Sequence, residues 1–247
     1  MDHKTSAIIL AGGKGTRIGG DTPKQYLNIG GYPLIYYSLK AFSDSPVDEI
    51  ILVCGKGDAD YCSSEIVDKY GFNKVRSIVT GGSERYHSVY NGLEAIRRIS
   101  GEDNGVPCDY VFIHDGARPF VDDDIIMRAY NAAVEYGAAV VALPASDTVK
   151  VSDDNGFAAQ TLPRSRVWLM QTPQVFDFDE IYDSYSRLAE SEAELSDKGV
   201  VVTDDAMVLE LFSDKKVRFV EGSRRNIKVT TPEDLELVNY YLAREVV

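Results

Sequence analysis

A short apolar run that ends in a glycine-rich loop limits this chain to a few folds. Residues 6–10 read Ser-Ala-Ile-Ile-Leu, which is typical of a strand buried on both faces of a parallel sheet. The loop after it contains Gly12, Gly13 and Gly15. Glycines let a backbone approach a ligand closely and turn its N–H groups toward an anion. This stretch therefore predicts an α/β fold with an anion site at the end of its first strand.

Two cations, Arg17 and Lys24, follow the glycines. The dinucleotide fingerprint G-x-G-x-x-G is excluded because Ile18 stands at the third glycine position, and the P-loop is excluded because Asp21 follows Gly20. A glycine-rich turn with two solvated cations would have the same composition. A loop built only for turning has no need of the cations, which favours a phosphate-binding loop of another kind.

Apolar runs alternate with amphipathic segments along the chain, the order that builds βαβ units. Strands are predicted at residues 6–10, 49–53, 75–79, 110–114, 138–143, 167–170 and 217–220. Helices are predicted at residues 33–42, through 66–70, at 88–99, 122–136 and 178–195, after 203–205, and after an N-cap at 231. The predicted fold class is α/β, a Rossmann-like, mostly parallel twisted sheet flanked by helices, with residues 1–247 forming one domain.

Residues 144–166 differ from the rest of the chain. They contain few apolar runs and include Asp153-Asp154-Asn155-Gly156, in which the Asn-Gly pair is a strong hairpin signal. We expect a β-arm that protrudes from the core.

Charge and cysteine content bear on partners and compartment. The chain has 39 acidic and 26 basic side chains, a formal net charge of -13, which disfavours nucleic acid or an anionic membrane as a partner. Cys54, Cys62 and Cys108 show no metal-binding spacing and are typical of reduced thiols. No apolar run approaches about 18 residues, and no signal-peptide pattern is present. A cytoplasmic location is expected.

Three further stretches carry chemistry-bearing residues. A second glycine loop, residues 81–85, leads into a helix around Ser88. The stretch His-Asp-Gly-Ala-Arg-Pro at 114–119 follows a predicted strand directly, and ligands of open α/β sheets bind at such strand ends. Residues 226–231 place Lys228 just ahead of the last helix. Each signal is weak by itself, because tight turns and solvated cations produce similar patterns.

Taken together, the motifs resemble the 2-C-methyl-D-erythritol 4-phosphate cytidylyltransferases of non-mevalonate isoprenoid synthesis. The resemblance covers nearly the whole chain. It is carried by the motifs A-G-G-K-G-T-R, P-K-Q-Y, G-G-S-E-R-Y-H-S-V, H-D-G-A-R-P, D-T-V-K, R-S-R-V-W-L-M-Q-T-P-Q, T-D-D-A and N-I-K-V-T-T-P-E-D-L. The related ribitol-5-phosphate cytidylyltransferases share many of these motifs. Leu10-Ala11-Gly12-Gly13 resembles that relative more closely, whereas Lys150, Trp168 and the T-D-D-A motif resemble the erythritol enzyme more closely.

The resemblance implies transfer of CMP from CTP to a sugar-alcohol phosphate. Arg17 and Lys24 would stabilise the pentavalent phosphorus, and Arg164 and Lys228 would position the acceptor phosphate. The nucleotide would be bound by Ala11, Gly12, Gly13, Gly15, Gly82, Ser83, Ser88, Asp115 and Gly116. The acceptor would be contacted by Asp115, Arg118, Thr148, Arg164, Thr203 and Lys228.

The resemblance also implies a metal ion and a partner subunit. Mg²⁺ would be held mainly by the CTP phosphates, and no protein ligand is nominated for it. Two arms would embrace in a homodimer, and Arg164 would serve the neighbouring subunit. The alternatives are a ribitol-phosphate or, more remotely, a sugar-1-phosphate nucleotidyltransferase, and a nucleotide-binding regulator without turnover. The paired cations on the acceptor side disfavour the regulator, which would have no use for them.

Overall fold

Helices and strands alternate along the chain as the apolar pattern predicts. The computed structural model describes residues 1–13, 22–102 and 106–245, apart from the side chains of Glu102 and Glu245. In these ranges the strands are β1 (Thr5–Ala11), β2 (Asn28–Ile29), β3 (Tyr32–Pro33), β4 (Glu49–Cys54), β5 (Val75–Thr80), β6 (Tyr110–Asp115), β7 (Ala138–Pro144), β8 (Lys150–Ser152), β9 (Ala158–Thr161), β10 (Trp168–Asp177) and β11 (Arg218–Glu221).

The helices mostly lie where amphipathic segments predict them. They are α1 (Leu34–Asp44), α2 (Ala59–Tyr61, continued by a π-helical segment, Cys62–Asp68), α3 (Arg85–Glu102), α4 (Asp123–Tyr136), α5 (Phe178–Asp197), α6 (Asp205–Phe212) and α7 (Pro232–Glu245). No helix in the described ranges combines the length and the apolar character needed to cross a bilayer.

A seven-stranded sheet in the order β11-β7-β10-β6-β1-β4-β5 forms the centre of the fold. β1 pairs in parallel with both β4 and β6, β4 with β5, and β7 with β11. β10 runs antiparallel to β6 and β7. The mostly parallel sheet flanked by helices is therefore confirmed, and one strand inside it has the opposite direction.

The central strands are apolar on both faces because helices cover both sides of the sheet. Ile9 of β1 belongs to the apolar cluster that includes Leu39 of α1 and Ile125 of α4. Its neighbour Ile8 belongs to the cluster on the opposite face, with Leu93 of α3. Alternate residues of one strand thus face opposite helical layers, as the pleat requires.

The predicted hairpin is present between β7 and β10. β8 and β9 pair antiparallel, and both are exposed along their whole length. Gly156 has a φ of +85°, and Asp153 Oδ1 accepts the N–H groups of Asn155 at 3.0 Å and Phe157 at 2.8 Å. The Asn-Gly signal therefore identified a real turn in the predicted arm.

Candidate active site

A cleft of about 550 Å³ opens at the carboxyl ends of β1 and β6, beside the glycine loop that follows β5. Nine of the predicted site residues line it: Ala11, Gly12, Gly13, Lys24, Gly82, Ser83, Ser88, Asp115 and Lys228. The other lining residues are Leu10, Gln25, Glu84, Arg85, Ala117 and Thr230. Residues that are far apart in sequence thus meet at the strand ends where α/β sheets bind ligands.

The second glycine loop crosses closely over the first turn of α3. Ser88 Oγ accepts the N–H of Gly82 at 3.1 Å and donates to the Glu84 carbonyl at 3.2 Å. A Cβ on Gly81 would lie 2.6 Å from Ser88 Oγ, and one on Gly82 would collide with His87 Cβ. Close packing therefore requires both glycines, and it leaves backbone groups on the cleft wall where a base edge could be read.

Asp115, the last residue of β6, is the charged centre of the cleft. Lys228 Nζ lies 2.7 Å from its Oδ2, Arg85 Nε lies 3.3 Å from Oδ1, and Arg118 Nε lies 3.9 Å from Oδ2. Burial would raise the pKa of the Asp115 carboxyl, but the charges of Arg85, Lys228 and Arg118 outweigh burial and hold that pKa well below its usual range. Asp115 is thus an ionised carboxylate surrounded by three cationic side chains.

Behind Asp115, a buried histidine fixes the end of β6. His114 Nε2 donates to the Arg118 carbonyl at 3.2 Å, and the Thr172 hydroxyl donates to Nδ1 at 3.0 Å while accepting the Asp115 N–H at 3.1 Å. Burial lowers the pKa of His114 to about 4, against the opposing charge of Asp115, so the ring is neutral at pH 7. The ring holds the backbone of the H-D-G-A-R-P stretch in place.

The segment before α7 delivers Lys228 and also touches Lys24. Val229 donates its N–H to the Ala117 carbonyl at 2.8 Å and accepts Lys24 Nζ on its own carbonyl at 2.7 Å. Asn226 is fully buried, and its side chain donates to the Thr172 carbonyl at 2.9 Å. Lys24 and Lys228 are therefore held on adjoining parts of one anchored segment.

The start of α7 anchors the other end of that segment. Asp234 accepts the N–H groups of Thr230 at 2.7 Å and Thr231 at 2.9 Å, and the Thr230 hydroxyl at 2.9 Å. This is the reciprocal half of a capping box, which agrees with the helix start predicted at Thr231.

The remaining predicted residues are either outside the described ranges or do not line the cleft. Arg17 and Gly15 fall in residues 14–21, outside the described ranges. Gly116 packs under Ile35, with its N–H bonded to the Leu10 carbonyl at 2.9 Å. Arg118 is nine-tenths buried and donates Nη1 to the Asn226 carbonyl at 2.9 Å, so it supports the site from behind.

Thr148, Arg164 and Thr203 are exposed and do not line the cleft of their own chain. Arg164 lies on the returning limb of the arm, where it donates Nη1 to the Ser146 carbonyl at 3.0 Å. The Thr203 hydroxyl donates to the sulfur of Met207 at 3.6 Å. Within one chain, the structure therefore brings none of Thr148, Arg164 and Thr203 to the cleft.

Sequence reasoning did not select Arg85 or Asp205 as site residues. Arg85 pairs with Asp115 and forms two bonds of 2.7 Å with Asp205. The position of Arg85 at the start of α3 was a possible signal. A cation is unfavourable at the positive N-terminal end of a helix dipole, so an arginine there indicates acidic partners nearby. Asp204, not Asp205, caps α6, since its Oδ1 accepts the Met207 N–H at 3.0 Å.

The sequence profile of the family IspD: 2-C-methyl-D-erythritol 4-phosphate cytidylyltransferase matches residues 5–244. The chain belongs to this family.

Curated relatives agree. The chain is 44% identical over 238 residues to 2-C-methyl-D-erythritol 4-phosphate cytidylyltransferase of Clostridium beijerinckii, covering 96% of this chain and 97% of that protein. It is also 44% identical over 238 residues to the enzyme of that name from Lachnospira eligens, covering 96% and 98%.

Solved structures extend the likeness to the fold. The crystal structure of 4-diphosphocytidyl-2C-methyl-D-erythritol synthase from Anaerococcus prevotii matches with a TM-score of 0.81 at 35% identity, covering 98% of this chain and 99% of that chain. The Francisella tularensis 2-C-methyl-D-erythritol 4-phosphate cytidylyltransferase matches with a TM-score of 0.75 at 32% identity, covering 96% and 99%. The expected family and fold class are confirmed.

Proposed function

We propose that the protein transfers CMP from CTP to 2-C-methyl-D-erythritol 4-phosphate and releases pyrophosphate. The observation that carries the proposal is that one cleft, bounded by two glycine loops, is lined by both Lys24, whose Nζ donates to the Val229 carbonyl at 2.7 Å, and Lys228, the residue before Val229. A cation suited to a triphosphate and a cation suited to a second phosphate thus line the same cleft. Family membership supports this acceptor over ribitol phosphate.

The reaction joins two polyanions, so its main difficulty is electrostatic. An oxygen of the acceptor phosphate attacks the α-phosphorus of CTP in line and forms a new P–O bond. The bond from the α-phosphorus to its bridging oxygen breaks, and pyrophosphate leaves with that electron pair. The nucleophile is already an anion and needs no general base. Lys24 and Arg17 stabilise the charge of the pentavalent phosphorus.

CTP would lie between the two glycine loops. Backbone groups of Ala11 to Gly15 would follow the triphosphate, and Gly82, Ser83 and Ser88 would contact cytosine and ribose. Cytosine carries an exocyclic amino donor where uracil has an acceptor, so a site with a fixed acceptor leaves polar groups unpaired against UTP. We expect a strong preference for CTP.

The acceptor would enter beside Asp115. Lys228, whose side chain is 41% exposed, can turn its ammonium toward the acceptor phosphate. Asp115 would face the acceptor hydroxyls, and Thr203 lies at the neighbouring start of α6. Thr148 and Arg164 would come from the arm of a second subunit in a homodimer.

Mg²⁺ would accompany the triphosphate. No group of three or more potential His, Cys, Asp or Glu ligands occurs among the described residues, and the Asp115 oxygens already face three cations. A Mg²⁺ ion that keeps its waters and binds substrate phosphates would need no such protein group. When bound, the ion neutralises triphosphate charge, while the protein contributes Lys24, Arg17 and the backbone of the first loop.

We further infer that residues 1–247 form one catalytic domain with its arm and that the protein is cytoplasmic. The three cysteines are buried and free of disulfides, which agrees with a reducing compartment.

The formal net charge of -13 argues against nucleic acid or an anionic membrane as a partner.

A pyrophosphate-release assay tests the function. The purified protein is given CTP and Mg²⁺ with 2-C-methyl-D-erythritol 4-phosphate, with D-ribitol 5-phosphate, or with no acceptor, and the first reaction is repeated with UTP. We expect turnover with CTP and the erythritol phosphate, and mass spectrometry should find the CDP-alcohol. In a competition, CDP-ribitol as the main product would contradict the proposed acceptor. Binding of CTP without turnover on any acceptor would support the regulator.

A further inference from the structure

A buried carboxylate lies one layer behind the cleft. Asp205, in the first turn of α6, has a side chain with no exposed surface. Its Oδ1 accepts the Tyr185 hydroxyl at 2.6 Å, and its two oxygens accept Nη1 and Nη2 of Arg85 at 2.7 Å each. Because Asp204 already caps the helix, capping does not explain why Asp205 is buried. A buried carboxylate is costly unless fully hydrogen-bonded, and these three bonds meet that requirement.

The pair with Asp205 fixes which edge of Arg85 the cleft receives. A guanidinium is a planar fork with five N–H donors. Asp205 occupies both terminal nitrogens, so Nε is left to face Asp115 Oδ1 at 3.3 Å. Arg85 also lines the cleft. An arginine without this partner would be free to compete for phosphate or to pair differently with Asp115.

The Asp115 carboxylate also holds Lys228, whose ammonium lies 2.7 Å from Asp115 Oδ2. To bind a phosphate, Lys228 must give up part of that contact, which leaves Asp115 dependent on its other cations. Arg85, held by Asp205, and Arg118 remain beside the carboxylate.

We propose that Asp205 is a positioning residue for the acceptor: through Arg85 it fixes Asp115 and leaves Lys228 available to the acceptor phosphate. This rests on the proposed cytidylyl transfer and extends that site to the α5–α6 layer. Asp205 touches no substrate and acts through Arg85. Its loss should therefore change acceptor kinetics more than CTP kinetics.

Three variants test the proposal. Asp205→Asn keeps the shape but removes the charge that holds Arg85. Tyr185→Phe removes the hydrogen bond to Asp205 Oδ1, the oxygen that also accepts Arg85 Nη1, and so loosens the Arg85 pair while keeping both of its members. Asp204→Asn is the matched control, because asparagine remains a good N-cap and the substituted side chain contacts Met207 N–H and Gln174 Nε2 rather than Arg85. For each variant, kcat, KM for 2-C-methyl-D-erythritol 4-phosphate, KM for CTP and Tm are measured.

We expect Asp205→Asn to raise the acceptor KM about 10-fold or more, the scale of a misplaced binding group, with the CTP KM changed less than about twofold. Tyr185→Phe should raise the acceptor KM by a smaller factor. Asp204→Asn should lower Tm and leave both KM values unchanged. An unchanged acceptor KM in Asp205→Asn, or equal rises in both KM values, would overturn the proposal.

The controls keep the conclusions separate. If Asp205→Asn does not fold, Tyr185→Phe decides, and an acceptor KM identical to that of the unsubstituted protein would overturn the proposal. An unsubstituted protein without turnover on the erythritol phosphate contradicts the proposed function and this inference together. Turnover with unchanged Asp205→Asn kinetics contradicts only the inference.

Discussion

Two lysines of the cleft are connected to the same short backbone segment, residues 228–229. Lys24 donates to the carbonyl of Val229, and Lys228 immediately precedes Val229 in the chain. Fixed cations are effective in a transition state because they need no reorganisation as charge develops. The 2.7 Å hydrogen bond to the Val229 carbonyl orients the Lys24 ammonium at the cleft. The proposed chemistry therefore depends on where these ammonium groups are held as well as on their charge.

Removing either proposed transition-state cation should reduce turnover. Lys24→Ala and Arg17→Ala are each expected to lower kcat by about 10²-fold or more, the scale for losing one donor to a developing charge. Steady-state kinetics with CTP and the acceptor measure this. Lys40→Ala, which removes an exposed ion pair with Asp44 on α1, is the control and should keep normal kcat. Near-normal turnover of a folded Lys24→Ala protein would refute the assigned role.

Gly116 illustrates a residue whose need for a small side chain comes from packing. A Cβ there would collide with Ile35 and lie 2.9 Å from the Leu10 carbonyl, a backbone atom of the central strand. We expect Gly116→Ala to lower the free energy of unfolding by about 1–3 kcal/mol, as overpacking does. Gly101→Ala is the control, because Gly101 lies in α3 with open space around it. Urea unfolding should show equal or greater stability for the control, and equal losses in both variants would contradict the packing argument.

At the scale of elements, the end of β6 gives the fold a pH dependence. The pKa of His114 is about 4 in the folded protein and near 6.5 in an exposed histidine. Between these values the unfolded chain binds the extra proton, so stability falls as pH falls, by about 1.4 kcal/mol per pH unit. Carboxyl groups with depressed pKa values, Asp115 and Asp234, act at lower pH because exposed aspartates titrate near 3.8.

Between pH 7 and pH 5 the change in stability should come mainly from His114. Hydrogen bonds with His87 and Lys198 lower the carboxyl pKa values of Glu192 and Glu194, and burial raises the pKa of Glu210, so the His114 variant is needed to assign the change. Urea unfolding at pH 7, 6 and 5 should show stability falling by roughly 2 kcal/mol over this range. His114→Gln, which can still donate and accept one hydrogen bond, should have a flatter dependence. Identical slopes for the two proteins would show that His114 does not cause the effect.

Elements with strong apolar runs or explicit turn residues were predictable from the sequence. β1, β4 and β6 are continuous apolar runs, and the arm turn carries its Asn-Gly pair. β10 was predicted at residues 167–170 but spans Trp168–Asp177, because the Gln-Thr-Pro-Gln stretch lacks an apolar pattern. Its antiparallel direction depends on tertiary pairing, which local sequence does not encode.

Site residues were predictable where glycine-containing motifs follow the ends of strands. Residues packed behind the cleft were harder to predict. Asp115 and Lys228 were identified, but sequence could not show that Asp205 turns inward while Asp204 caps the same helix. That difference depends on the position of Tyr185 and Arg85, which lie 20 and 120 residues away in sequence. Long-range pairs of this kind leave no local periodicity.

At the scale of the whole molecule, the arm lacks a partner within the described part of its chain. A two-stranded hairpin is marginal in water, and Phe157 beside the turn is 73% exposed. A homodimer that buries the arms would explain both features. Phe157→Asp should then raise the dimer dissociation constant about 10-fold or more, as loss of a buried aromatic anchor does. Val201→Asp, equally exposed at 74% but outside the arm, is the control.

Sedimentation velocity over a range of concentrations measures this shift. A protein that is monomeric before any substitution would contradict the homodimer. Equal weakening by Phe157→Asp and Val201→Asp would mean that the arm is not the contact.

If the arms also complete the sites, two inactive proteins should restore one another. Lys24 lines the cleft of its own chain, whereas Arg164 lies on the arm and bonds to Ser146. In a mixed dimer of Lys24→Ala and Arg164→Ala subunits, one cleft has an intact Lys24 and receives Arg164 from the other chain, while the second cleft lacks both. Random exchange makes half of the dimers mixed, each with one working site, so activity should recover to about a quarter of the unsubstituted value, since effects at independent sites add. Differently tagged subunits confirm exchange, and mixed dimers without recovered activity would contradict the sharing of Arg164 between subunits.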